Sequence, residues 1–274
     1  MKKFYYIISV LMLLATACQQ EDVCSPEDNV PVNVVYQVQM GDDLQSRAIG
    51  DGSQVDELIV GIFRDGEFVN KLTFKDEDDG IPDQIFENIT IPMMMKETYD
   101  LVFWAQKRGN GIYTIEDELN VKIDYLKYTQ FSVANNFDAF TGKQDNVSVY
   151  NPGNKNITLK RPFAQLNVLA SQASNAEKVE FTIDKVYTSY NLYTGEATEG
   201  VQTFTIFPNG NETERVNATT YHYLASVFLL APETVSLIGG IYNGNNEEIK
   251  DLNVQGLTLQ ANNRTNLLYN LNNN

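Results

Sequence analysis

Apolar and polar positions alternate with a period of two along most of this 274-residue chain, and the alternation begins early. In "PVNVVYQVQM" (residues 31–40), Val32, Val34, Tyr36, Val38 and Met40 point one way, and Asn33, Gln37 and Gln39 point the other. "ELIVGIFRDGEFVNKLTF" (57–74) reads as two strands joined at Asp65-Gly66, a dipeptide suited to the positive φ angles of a tight hairpin. By the same logic "TYDLVFWAQKRGNGIYTI" (98–115) is a hairpin turning near Gly109 to Gly111, and "VSLIGGIYNGNNEEIKDLNV" (235–254) one turning at Asn243-Gly244. Further strands are expected at 84–91, 119–124, 155–160, 162–170, 178–188, 201–207, 221–230 and 264–271. No segment sustains a capped helical face. Residues 128–141 and 172–177 hold short helical turns at most.

Many short strands with turn signals at close intervals describe an all-β protein built of antiparallel sandwiches. The polar stretch "TGKQDNVSVYNPGNKN" (141–156), with its Pro152-Gly153 pair, divides the mature chain into halves of similar length. The expected organisation is a signal peptide at 1–17, a flexible tether at 18–30, and β-sandwich domains at 31–150 and 151–274. A single elongated sandwich is the alternative.

The first eighteen residues, "MKKFYYIISVLMLLATAC", have the form of an export signal. Lys2 and Lys3 make the basic start, and Phe4 to Leu14 make an apolar run too short to span a bilayer. Small residues then lead to Cys18. A peptide ending this way resembles the bacterial lipoprotein signal, in which cleavage falls before the cysteine, here between Ala17 and Cys18, and the thiol is lipidated. Ala15 stands where that signal more often has Leu. Ordinary secretion with Cys18 incidental is the alternative. Several acyl chains on one cysteine, at about 0.8 kcal/mol per buried methylene, would hold the protein to a membrane without a spanning helix.

Losing residues 1–17 removes two of 20 basic residues and none of 36 acidic ones, so the net charge moves from −16 to −18. Phosphate backbones would be repelled, and no basic cluster offsets this, which argues against nucleic acid as a partner. With Cys18 lipidated, Cys24 has no partner for an intramolecular disulfide, so stability must come from burial. The acidic residues after Cys18 look like a surface-export signal of some Gram-negative anaerobes; periplasmic retention is the alternative.

Little here suggests catalysis or a cofactor. The single histidine, His222, lies between two tyrosines on an expected strand, with no ligand at metal spacing. "KDEDDG" (75–80) crowds four carboxylates together but lacks the alternate spacing and distal Glu of an EF-hand, so a solvated loop is expected there and a calcium site is the alternative. Neither a nucleophile elbow nor a glycine-rich phosphate loop is present.

Five segments occur in order: "TYDLVFWAQ" (98–106), "FDAFTG" (137–142), "LKRPFAQLNV" (159–168), "YHYLASVFLL" (221–230) and "NNRTNLLYNL" (262–271). With the "SRAIGDG" that precedes the first hairpin, they resemble the fimbrillin-like lipoproteins of Gram-negative anaerobes, which include type V pilus subunits. The resemblance covers about residues 46–271. It implies two transthyretin-like antiparallel β-sandwich domains in tandem, an outer-membrane lipoprotein on the cell surface, no enzymatic activity, and other fimbrial subunits as partners. In polymerising members a protease cuts after an arginine that follows the first strand, and a neighbouring subunit fills the vacated groove; Arg47-Ala48 matches that position. Leu267, Leu268, Tyr269 and Leu271 are expected to complete the last strand, and no separate donor strand is evident after them. The resemblance therefore leaves open a stalk, tip or anchor role. A surface lipoprotein binding glycan through exposed tyrosines, and a β-sandwich hydrolase, are the competing classes.

Overall fold

The computed structural model describes residues 30–41, 52, 54–75, 85–129, 136–209 and 212–271. Seventeen strands run through them: β1 (Pro31–Met40), β2 (Glu57–Arg64), β3 (Glu67–Lys75), β4 (Ile85–Met94), β5 (Tyr99–Gln106), β6 (Tyr113–Ile115), β7 (Asn120–Ile123), β8 (Ala139–Val147), β9 (Asn156–Leu159), β10 (Ala164–Ser171), β11 (Lys178–Asn191), β12 (Ala197–Ile206), β13 (Thr213–Val216), β14 (Thr219–Leu229), β15 (Thr234–Tyr242), β16 (Glu248–Thr258) and β17 (Arg264–Asn270). The protein is all-β, as its alternation predicts. Among the described residues the only helical pieces are short 3-10 turns, and no helix is long and apolar enough to cross a membrane.

Four sheets form. Sheet I has the order β4-β1-β9 and sheet II the order β3-β2-β5-β8; sheet III runs β16-β15-β11-β7-β6, with β12 also on β11, and sheet IV runs β13-β14-β10-β17. Sheets I and II share one core, in which Tyr36, Val38 and Ile91 meet Leu58, Val60, Leu101 and Phe103. Sheets III and IV share another, where Val179, Phe181 and Leu237 meet Leu166, Val168 and Val227.

The chain does not pass once from the first pair of sheets to the second. β9 starts at the end of the polar stretch 141–156, yet it pairs with β1 in sheet I. β6 and β7 lie before that stretch, yet β7 pairs with the far end of β11 in sheet III. Just after β7, two phenols anchor the segment to sheet IV. The Leu230 amide donates to the Tyr125 hydroxyl, and the Phe228 amide donates to the Tyr128 hydroxyl, each at 3.2 Å.

This interlocking buries β2 and β5 of sheet II on both faces. Ile59, Phe63, Val102 and Trp104 point away from sheet I and join the larger core. Trp104 meets Tyr113 edge-on at 5.4 Å, and Tyr193, at the tip of the β11–β12 hairpin, stacks on Phe63 at 4.0 Å. Leu119 packs so close to β2 that a Cβ on Gly61 would lie 2.7 Å from its Cγ. A glycine is required there.

The Asp65-Gly66 turn forms as expected, with φ of 52° and 84°. The β15–β16 hairpin also turns at Asn243-Gly244, within a loop of 243–247 where the Asn243 side chain caps the amides of Asn245 and Glu247 and Asn246 takes a positive φ. Two local expectations do not hold. The 98–115 segment turns at Gly109 and Gly111, but β5 is already paired with β2 and β8, so β6 leaves to pair with β7. Residues 141–147 belong to a strand: β8 is an edge whose outer positions, such as Lys143 and Asp145, are polar because they face water.

Burial of phenols makes the fold alkali-sensitive. Burial pushes the hydroxyls of Tyr113, Tyr125 and Tyr128 up, and that of Tyr36 up to about 12. An unfolded phenol titrates at about 10. Above that pH the unfolded chain sheds protons that the folded chain keeps, so stability is whole below about pH 10 and falls as pH rises toward the folded values. A pH titration followed by circular dichroism and phenolate absorbance is expected to show late, cooperative ionisation coincident with unfolding. Ionisation of all the tyrosines near their ordinary value, with the fold intact, would contradict it.

Candidate strand-exchange site

β1 is the middle strand of a three-stranded sheet, and its two neighbours come from distant parts of the chain. It runs antiparallel to β4, from Pro31 opposite Met94 to Gln39 opposite Ile85. It runs parallel to β9, from Gln37 opposite Asn156 to Met40 opposite Leu159. The alternation read from the sequence is realised: Val34, Tyr36, Val38 and Met40 are buried in the first core, whereas Asn33, Val35 and Gln39 are exposed.

Polar contacts fix the register. The Tyr36 hydroxyl donates to the Pro152 carbonyl at 2.8 Å, and the amides of Gln37 and Gly41 donate to the carbonyls of Lys155 and Leu159. Gln39 Nε2 donates to Thr158 Oγ1 at 3.1 Å. The ladder with β4 is interrupted between Tyr36 and Val38, and a cleft of about 260 Å3 opens there, lined by Val35, Gln37, Glu87, Asn88 and Lys155. Withdrawing β1 would separate β4 from β9 and leave a slot with an apolar floor and two lips of unpaired backbone groups.

Just beyond β1 the chain returns to the same place. A Cβ on Gly52 would lie 3.6 Å from Met40 Cβ and 3.1 Å from the Phe140 ring, and Gly52 has a φ of +75°, so only glycine fits. Its amide donates to Asp138 Oδ2 at 3.2 Å. Asp138 in turn holds Arg161 through two bonds, Nε to Oδ1 at 2.5 Å and Nη2 to Oδ2 at 2.6 Å, with both side chains buried. Arg161 Nη1 also donates to Asn262 Oδ1 at 3.2 Å, and its guanidinium lies over the rings of Phe140 and Phe228.

Ala17, Cys18, Arg47 and Ala48 lie outside the described residues, as does Asp76 to Gly80. Among the described residues no group of His, Cys, Asp and Glu could hold a metal ion. His222 is a half-buried residue of β14, opposite Ala170 of β10. Asp138 and Arg161 were not singled out by sequence reasoning. The signal was there: they sit in "FDAFTG" and "LKRPFAQLNV", and their contacts reach "SRAIGDG", "YHYLASVFLL" and "NNRTNLLYNL", so five of the six segments that carry the resemblance converge on one ion pair.

No curated protein matches the chain. Solved structures do. A candidate adhesin from Bacteroides thetaiotaomicron superposes with a TM-score of 0.51 at 12% identity, over 81% of this chain and 80% of that one. A candidate cell adhesion protein from Bacteroides ovatus gives 0.48 at 14%, over 87% and 91%. The fimbrial anchor protein Mfa2 from Porphyromonas gingivalis gives 0.43 at 14%, over 81% and 83%. At such identity the first of these likenesses establishes a shared fold. A family profile matches residues 25–271, nearly the whole chain, and the protein belongs to that family, a family of unknown function (DUF6562).

Proposed function

We propose that this protein is a non-enzymatic fimbrial or adhesion subunit, exported as a lipoprotein anchored through Cys18 and displayed on the outer membrane, whose strand β1 is a replaceable plug. Its two stacked pairs of sheets serve as the two sandwiches of a tandem, with β9 and the β6–β7 segment exchanged between them. Cleavage between Arg47 and Ala48 severs the plug's covalent link to the body, and a strand from another subunit, of the same or a different kind, takes its place.

The observation that carries this reading is the position of β1, centred between two lips and bonded to both. Each fully buried Val or Met side chain contributes about 1.5–3 kcal/mol, and unmade backbone bonds add to the cost of vacancy. A vacated slot is therefore a strong acceptor for a strand with the same alternation. The adhesin character of the Bacteroides thetaiotaomicron protein that shares the fold agrees with this role.

The sequence offers a clean test. Between Lys3 and Arg47 there is no Lys or Arg, so the first tryptic site of the mature chain is Arg47. Limited trypsin treatment of concentrated, lipid-free protein is expected to create a new terminus at Ala48 and oligomers visible by light scattering. Arg47→Ala protein is expected to stay monomeric. If Arg47 resists trypsin while other sites are cut, or the cut protein never assembles, the reading fails.

A further inference from the structure

We infer that cutting the connector after β1 does not by itself open the slot: the nicked protein keeps β1 bound and surrenders it only to a competing strand. This rests on β1 being replaceable, as proposed above. The two ends of the connector are each held by contacts that do not pass through it. On one side, β1 is secured by its ladders to β4 and β9, by the four side chains it buries, and by the Tyr36 hydroxyl on Pro152. The Gly41 amide on the Leu159 carbonyl extends that hold past the end of the strand.

On the other side, Gly52 is fixed by the Asp138 carboxylate and the Phe140 ring. Its carbonyl accepts from the Val55 amide, Val55 is buried in the first core, and the Asp56 amide donates to the Gln106 carbonyl. Met40 and Gly52 are neighbours, so the two held ends lie side by side. A cut after Arg47 removes no contact among these. What it removes is the covalent link. A strand linked covalently to its slot is presented at an effective concentration on the order of millimolar. After the cut, rebinding depends on the amount of free strand in solution.

Cleavage thus turns a permanent occupant into one that other strands can outcompete. The apolar floor is covered until the moment of exchange, which spares the subunit the aggregation that an open sheet edge invites. Assembly is then paced by the supply of incoming strands and not by the protease.

The test uses lipid-free mature protein nicked by trypsin and passed at once through a size-exclusion column. The expected result is that the fragment ending at Arg47, which contains all of β1, co-elutes with the body. It should be lost on adding an excess of a labelled synthetic peptide of residues 31–41, which takes its place on the body. Tyr36→Ala protein, nicked in the same way, should lose its fragment on the column without a competitor. A wild-type fragment that elutes apart immediately after cleavage would overturn the inference while leaving the proposed function standing. If Arg47 is not cut, the proposed function fails, and a specific-protease sequence placed at residues 44–47 makes the same nick. Co-elution there upholds the inference, and separation overturns it.

Discussion

Arg161→Ala is expected to destabilise the protein by about 3–5 kcal/mol, the cost of leaving one member of a buried ion pair behind. Asp138 would keep its carboxylate in a site closed to water, without the bidentate guanidinium that holds it. The rings of Phe140 and Phe228 would lose the flat cation between them. The damage extends beyond the pair. Arg161 lies between β9 and β10, Asp138 just before β8, Asn262 just before β17, and Gly52 just before the first hairpin, so one substitution loosens four chain segments. Chemical denaturation of wild type, Arg161→Ala, and the double variant Asp138→Leu with Arg161→Met measures this. The double variant should recover much of the loss, because an apolar pair of similar volume carries no stranded charge. Equal stability of Arg161→Ala and wild type would show that the pair contributes nothing.

The individual strands were legible in the sequence because their physics is local. β1 declares itself by alternation, and Val34, Tyr36, Val38 and Met40 are indeed its buried face. Asp65-Gly66 declares a tight turn by backbone chemistry alone. Pairing across long separations was not legible. Gly109 and Gly111 do take positive φ, but no local signal says that β8 occupies the edge of β5 that β6 would need. β8 escaped notice because an edge strand with a wet outer face has little apolar alternation to show.

Burial of β2 and β5 on both faces had a visible sign. "LIVGIF" and "LVFWA" are continuous apolar runs, as strands without a wet face require, where β1 alternates. The Asp138–Arg161 pair is 23 residues apart and follows no period, so only the assembled fold brings it together. The Asp138–Arg161 end of the candidate site was hidden for that reason. Strand β1 was not.

The central claim is that another subunit's strand takes the place of β1 in its slot, and locking β1 in place tests it most directly. Gln39 of β1 and Thr158 of β9 are register partners whose side chains touch. Gln39→Cys with Thr158→Cys, with Cys18 and Cys24 replaced by serine, would tie the plug to its lip by a reducible bond. After trypsin cleavage the oxidised protein is expected to remain monomeric by light scattering, and the same sample is expected to assemble once reductant is added. Assembly of the oxidised, cleaved protein at the rate of the reduced one would contradict the account.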